Sequence, residues 1–291
     1  MNPNLFSEIP FWSAPFGIRL LECIEYRKGI TALDIGFGTG FPLIEIAMRL
    51  GEGATVYGID PDREMLELVT RKLADLANPE IPTPNPLATA DGGLATADRR
   101  LETADCRLIH GNAESLPLPS ASIDLITSNN GINNAGDIPA VIAECARVIR
   151  PGGQFVQTMN TAETMIEFYR VLEAVLAERG MTAEIDAMRR HIAKKRPPVE
   201  WMTGLLEQNG FAVKEVIRDH FHYRFADGTA MLNHFFIRTA FSGPWKELVP
   251  EAKREEVFAV VEQRLNDLAA REEGLRMTVP FVVLNSYRRV E

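Results

Sequence analysis

The stretch LDIGFGTGFP, Leu33 to Pro42, sets one acidic residue and three glycines between two apolar runs. That order reads as strand, tight turn and helix start. A helix start presents unpaired N–H groups, and Gly36, Gly38 and Gly40 let a ligand come close to the backbone with no Cβ in the way. The dinucleotide spacing G-x-G-x-x-G needs glycine at 41, where Phe41 stands. Asp34, two residues ahead of Gly36, makes the run D-x-G-x-G-x-G. A carboxylate there opposes a pyrophosphate and suits a ligand carrying an ammonium and a sulfonium; its other reading is that it satisfies N–H groups of its own loop. Asp60 closes the run ATVYGID, and a carboxylate at a strand end can accept from both hydroxyls of a ribose. NAD and S-adenosylmethionine share that ribose, and the charge at Asp34 favours the second.

Further polar groups gather downstream. HGNAESLPLPSASIDLITSN puts Asn112, Ala113 and Glu114 just beyond a third strand, where an amide and backbone groups could read an adenine edge. Asn129, Asn130, Asn133 and Asn134 crowd the end of the next strand, the side on which open α/β sheets bind ligands. Asn130 and Asn133 could orient a substrate oxygen or could cap their own loop. His234, in TAMLNHFFIR, is a candidate base or a packing histidine. His220 and His222 alternate with Phe221 and Tyr223; as a metal pair they lack an obvious third ligand, so a solvated strand face is expected and no metal site. Phe11, Trp12 and Phe16 could close over a cofactor or pack the first helix.

The elements that must position these residues follow from periodicity. A helix is expected from Pro15 to about Arg27, then the strand TALDIG and a helix near 41–50. The strand ATVYGID, a helix near 62–77, the strands CRLIHG and SIDLITS, a helix near 138–149 and the strand GGQFVQTMN continue the alternation. Such alternation is that of a doubly wound, mostly parallel α/β sheet. It is interrupted at residues 78–104, where proline-rich NPEIPTPNP precedes three copies of one heptad, ATADGGL, ATADRRL and ETADCRL. With Asp-Gly-Gly inside and one large apolar residue per copy, the heptads cannot make a coiled-coil seam and read as an expanded loop. Helices are expected near 162–178, 182–195, 199–208, 228–241 and 251–271, with strands FAVKEVIRDHFHYRF and LRMTVPFVVLNSYRRV. The last strand is apolar on both faces, which suits a central position, although Pro280 removes a ladder donor and implies a bulge or an edge there.

Composition narrows the function classes. The chain has 291 residues, 46% of them hydrophobic, and a net charge of −9. That charge works against a phosphate backbone, so no nucleic acid is expected as partner. The basic run of Arg189, Arg190, Lys194, Lys195 and Arg196 ends a helical segment, where cations suit the helix dipole. Three cysteines without a C-x-x-C pair point to a reduced, cytoplasmic protein. The start lacks the features of a signal peptide, and no run approaches the about 18 apolar residues of a membrane span.

LDIGFGTG, VYGID, GNAESLP, SIDLITSN and RVIRPGGQFV, in this order over about residues 30–160, resemble the successive motifs of class I S-adenosylmethionine-dependent methyltransferases. NNGINNAGD followed by RVIRPGG is most similar to the branch of ubiquinone and menaquinone C-methyltransferases. The resemblance implies a seven-stranded Rossmann-like sheet with a helical cap. It also implies that Gly36, Gly38 and Gly40 line the methionine part of the cofactor, that Asp60 holds the ribose, and that Pro61 and Met65 lie beside the adenine. Asn112 and Ala113 then meet the adenine edge and Asn129 the methionine amino group; Asn112 departs from the aspartate common at that position. The expected domains are an N-terminal lid, 1–29, a cofactor core, 30–160, with the insertion, a cap, 161–274, that includes the strand near 211–225, and a final strand, 275–291. The expected reaction is metal-free methylation of a small, largely apolar molecule at carbon or oxygen. SNNGINN stands where nucleobase-amine enzymes resemble one another in a Pro-Pro-aromatic motif, and lacks the carboxylates that catechol-type enzymes use for Mg²⁺.

Overall fold

The computed structural model describes residues 10–76 and 104–290. The insertion read at 78–104 therefore lies, except for Ala104, outside the described residues, as do residues 1–9 of the lid segment and the side chain of Phe11.

The strands are β1 (Thr31–Ile35), β2 (Thr55–Asp60), β3 (Asp105–His110), β4 (Ile123–Asn129), β5 (Ile149–Asn160), β6 (Phe211–Phe225) and β7 (Leu275–Arg288). They form one seven-stranded sheet in the order β3-β2-β1-β4-β5-β7-β6. The first five are parallel, with Leu33 opposite both Tyr57 and Ile126. β7 runs antiparallel to β5: Gln154 bonds Asn285 near one end, and the Thr161 N–H bonds the Pro280 carbonyl at the other. Pro280 thus sits in a strand flanked on both sides, not at an edge; its carbonyl also accepts from Thr164 Oγ1. β6 is the edge strand instead.

The alternation of buried strands and amphipathic helices accounts for this sheet. β1 and β4 are buried along almost their whole length. Helix α1 (Pro10–Cys23) starts earlier than Pro15 predicts and carries that proline inside. Helices α2 (Leu43–Leu50) and α3 (Arg63–Leu76) follow β1 and β2. Helix α4 (Ile138–Val148) buries Val141, Ile142, Cys145 and Val148, a helical spacing, and is capped by the Asp137 carboxylate on the Ala140 N–H.

The chain divides into two compact units. The first comprises Met1–Thr158, Leu205–Glu215 and Leu284–Glu291, and the second Met159–Gly204 and Val216–Val283. The second unit contains α5 (Ile166–Glu178), α6 (Thr182–Lys195) and most of α7 (Val199–Gln208). Where one helix is expected over 228–241, three short ones run: α8 (Gly228–Asn233), α9 (Phe235–Ala240) and α10 (Ser242–Glu247). Asp227 caps the first, His234 leaves helical geometry between the first and second, and Phe241 joins the second to the third. Helix α11 (Glu251–Glu272) completes the unit.

Candidate cofactor site

Strand order reverses between β1 and β4, since β2 and β3 lie on one side and β5 on the other. At such a point the loops leaving the two strands part and open a crevice. Here the two backbones approach closely: a Cβ on Gly36 would stand 2.9 Å from Gly131 Cα, and one on Gly131 2.4 Å from the Ile35 carbonyl. Gly36, Gly38 and Gly40 all have positive φ, +72°, +52° and +100°, so the loop needs glycine for its conformation.

Asp60 organises this loop. One carboxylate oxygen accepts the Gly38 N–H and the other the Asp62 N–H, both at 2.9 Å. Burial pushes its pKa up, and the two N–H bonds oppose the shift. Lys72 on α3 adds a second tie by donating to the Thr39 carbonyl at 2.8 Å; burial lowers its pKa.

Asp34 is 1% exposed. The hydroxyl of Thr127 donates to its Oδ1 at 2.7 Å, while Oδ2 is buried with no hydrogen-bond partner. Burial pushes the carboxyl up to about 7. Its partner is thus a β4 hydroxyl and not a loop N–H. A buried carboxylate oxygen with nothing to accept from, beside a glycine cradle, fits a cationic ligand.

At the end of β4, the Asn129 side chain is occupied at both ends. Nδ2 donates to the Ser13 carbonyl of α1 at 3.0 Å, and Oδ1 accepts from Thr158 Oγ1 at 2.8 Å. Asn130 sits at φ +57° with its N–H bonded to Thr158, and Asn133 is buried in a short 3₁₀ turn, Ile132–Asn134. Gly17 of α1 brings that helix onto the loop: a Cβ there would meet the Phe41 ring at 2.2 Å.

Met65 is buried and Pro61 exposed, its carbonyl 3.0 Å from His110 Nε2. Asn112 is exposed and donates to Glu114, whose other oxygen accepts from the Asp137 N–H. Ala113 is half-buried beside it. The following loop is held by Arg147 of RVIRPGG, which donates to the Leu116 and Leu118 carbonyls.

The loop glycines, Asp34, Asp60 and Asn129 therefore all belong to the first unit. His234 belongs to the second, half-buried between the rings of Tyr223 and Phe225 with Nδ1 buried and unbonded. His220 and His222 stand on the exposed face of β6, and no group of His, Cys, Asp and Glu among the described residues could hold a metal. Thr127, Thr158, Lys72 and Gly131 are the site residues that sequence reasoning missed. Nothing local marks them, because each matters only through a partner brought by another strand or helix.

Residues 33–157 match the methyltransferase domain family. The match takes in less than half of the chain, the stretch that holds the glycine loop, Asp34, Asp60 and Asn129. Its relatives include demethylmenaquinone methyltransferase of Bacillus licheniformis, 30% identical over 150 residues. The match covers 52% of this chain and 53% of that relative, so it spans about half the length of either. Among solved structures the fold is shared with the YcgJ protein of Bacillus subtilis, with TM-score 0.55, 14% identity and coverage of 95% of this chain and 98% of that one. It is shared also with geranyl diphosphate methyltransferase in complex with its cofactor, with TM-score 0.51, 16% identity and coverage of 95% and 85%.

Proposed function

We propose that the chain transfers the methyl group of S-adenosylmethionine to carbon or oxygen of a small, largely apolar acceptor, without metal. The observation that carries this reading is the buried, unpartnered Asp34 oxygen at the glycine loop. It suits a ligand whose charge is positive, and the loop lacks the dinucleotide spacing. Gly36, Gly38 and Gly40 would line the methionine part, Asp60 the ribose, Pro61, Met65, Asn112 and Ala113 the adenine, and Asn129 the methionine end. Asp60 keeps acceptor capacity for hydroxyls beyond its two N–H bonds.

The bound sulfonium would supply an activated methyl group. The protein's task is then alignment and exclusion of water, worth up to about 7–11 kcal/mol in favourable cases. The acceptor class rests on the relatives' name, demethylmenaquinone methyltransferase, and on Asn130 and Asn133 at the end of β4 as polar anchors. His234 is the candidate to assist proton removal. Three free cysteines support a reducing compartment, the cytoplasm, and no described helix is long and apolar enough to cross a membrane.

Calorimetric titration tests the cofactor, with saturable binding of S-adenosylmethionine and its demethylated product and none of NAD as the expected result. A screen with labelled cofactor across phenols, quinols, lipids, peptides and RNA tests the acceptor. Labelling of peptide or RNA alone would replace this reading with macromolecular methylation, and cofactor binding with no acceptor at all would indicate a non-catalytic partner protein.

A further inference from the structure

Arg224 stands on the exposed face of β6 with His220 and His222, each two residues from the next, and Arg276 is exposed on the neighbouring strand β7. Neither guanidinium makes a hydrogen bond or an ion pair among the described residues. Arg224, Arg276 and His222 line a cavity of about 280 Å³ together with Glu272, the last residue of α11, and Gly274 in the turn after it. All of these residues belong to the second unit.

The nearby carboxylates leave the cations unpaired. Glu167 of α5 accepts from the N–H and the hydroxyl of Thr278 with its two oxygens, and Glu272 makes no ion pair with either arginine. The surplus of positive charge reaches His222: partial burial, then the charges of Arg276 and His220, lower its pKa, with Arg224 adding to them and Glu167 opposing. The rings of His220 and His222 lie 5.1 Å apart. Like charges held this close repel one another, and an anion placed among them relieves the repulsion. The effect is local, because the whole chain carries a net charge of −9 and repels anions as a body. The cavity falls just short of the about 300–1,000 Å³ of pockets for drug-sized ligands, so it suits a compact group. An arginine fork can donate to two oxygens of a phosphate at once, and a protonated histidine adds a further donor.

We propose that Arg224, Arg276 and His222 form a binding site for the phosphate group of a small solute. The site uses no residue of the cofactor loop and does not rest on the function proposed above. A dianion favours the protonated form of His222, which is faced by His220 and Arg224 on its own strand, Arg276 on β7, Glu167 on α5 and Glu272 on α11. Binding should therefore take up a proton and tighten as pH falls.

Calorimetry on the full chain at low ionic strength tests the site with inorganic phosphate and pyrophosphate, and with sulfate, whose two charges do not change between pH 6 and pH 8. Saturable binding of phosphate is expected. Sulfate should bind about threefold or more tighter at pH 6 than at pH 8, with a heat that depends on the buffer as protons are taken up. Arg224→Gln combined with Arg276→Gln should weaken phosphate about tenfold or more at an unchanged melting temperature, and His222→Gln should remove the pH dependence of sulfate. Arg238→Gln combined with Lys246→Gln, two exposed cations of the same unit that do not line this cavity, should leave phosphate binding as it is. No saturable binding of phosphate or pyrophosphate, undiminished binding in the folded Arg224→Gln and Arg276→Gln variant, or equal loss in the two double variants would overturn the proposal. Sulfate affinity independent of pH would overturn the part given to His222. Binding confined to phosphatidylcholine vesicles containing phosphatidic acid, with no response to the free anions, would overturn the solute site and make the patch a membrane contact.

Discussion

Burial pushes the Asp34 carboxyl up to about 7, within the range where its charge changes near neutral pH. An acid whose pKa is raised in the folded state keeps a proton that the unfolded chain has lost. The stability that Asp34 contributes to the ligand-free protein is therefore full below the ordinary carboxylate range and is lost as pH rises towards about 7, at roughly 1.4 kcal/mol per unit. A cationic ligand favours the ionised form, so S-adenosylmethionine should bind more tightly as pH rises through the same window. Asp34→Asn should flatten both dependences, with a higher melting temperature than the unaltered protein at pH 8 and weaker cofactor binding there. Differential scanning fluorimetry and calorimetry at pH 5.5 and pH 8 read both; cofactor affinity independent of pH in the unaltered protein would remove the role of Asp34. Asp60 acts by different chemistry, since its oxygens already hold the Gly38 and Asp62 N–H groups. Asp60→Ala frees the loop and removes the ribose acceptor, each charge-assisted bond being worth about 1.5–3 kcal/mol. Affinity measured by calorimetry should fall by at least tenfold with the fold retained.

Helix α1 and strand β4 are joined through one amide. Asn129 reaches the Ser13 carbonyl with its nitrogen and Thr158 with its oxygen, so three elements meet at the strand end. Gly17 lets the helix settle against Phe41 of the glycine loop. Asn129→Ala removes both bonds and leaves the Ser13 carbonyl without this donor. Hydrogen exchange in residues 10–23 should speed up while the exchange of β1 and β4 stays slow. Unchanged protection of α1 would show that its apolar face, Phe16, Leu20 and Leu21, holds it without the amide.

The division into two units gives the whole molecule two cores to lose. In the second, Trp245 is fully buried against Phe168, Tyr169 and Phe241, with its N–H satisfied by Tyr169. Trp245→Ala removes a large buried side chain and one hydrogen bond to the Tyr169 hydroxyl, a loss of about 3–5 kcal/mol. Hydrogen exchange by mass spectrometry should show the faster exchange concentrated in 159–204 and 216–283. Equal loss of protection in both units would show that they unfold as one.

Periodicity and turn chemistry sufficed for the order of strands and helices over residues 30–160, because each parallel strand and its helix write their pattern locally. The glycines of LDIGFGTG and the carboxylate closing VYGID were readable for the same reason: positive φ and a strand end are properties of a short stretch. The place of β7 was legible in part: apolar residues on both faces suit a strand with two neighbours, while Pro280 argues locally for a bulge or an edge, and only long-range packing decides that the neighbours are β5 and β6. The state of Asp34 was not legible. The sequence allows a loop carboxylate bonded to its own N–H groups; only the register of β1 against β4 brings Thr127 to one oxygen and leaves the other buried and unbonded. Arg196 belongs by sequence to a basic run at a solvated helix end. Tertiary packing alone turns it inward onto Thr164 and Tyr169, because the fold of the second unit closes around the end of α6.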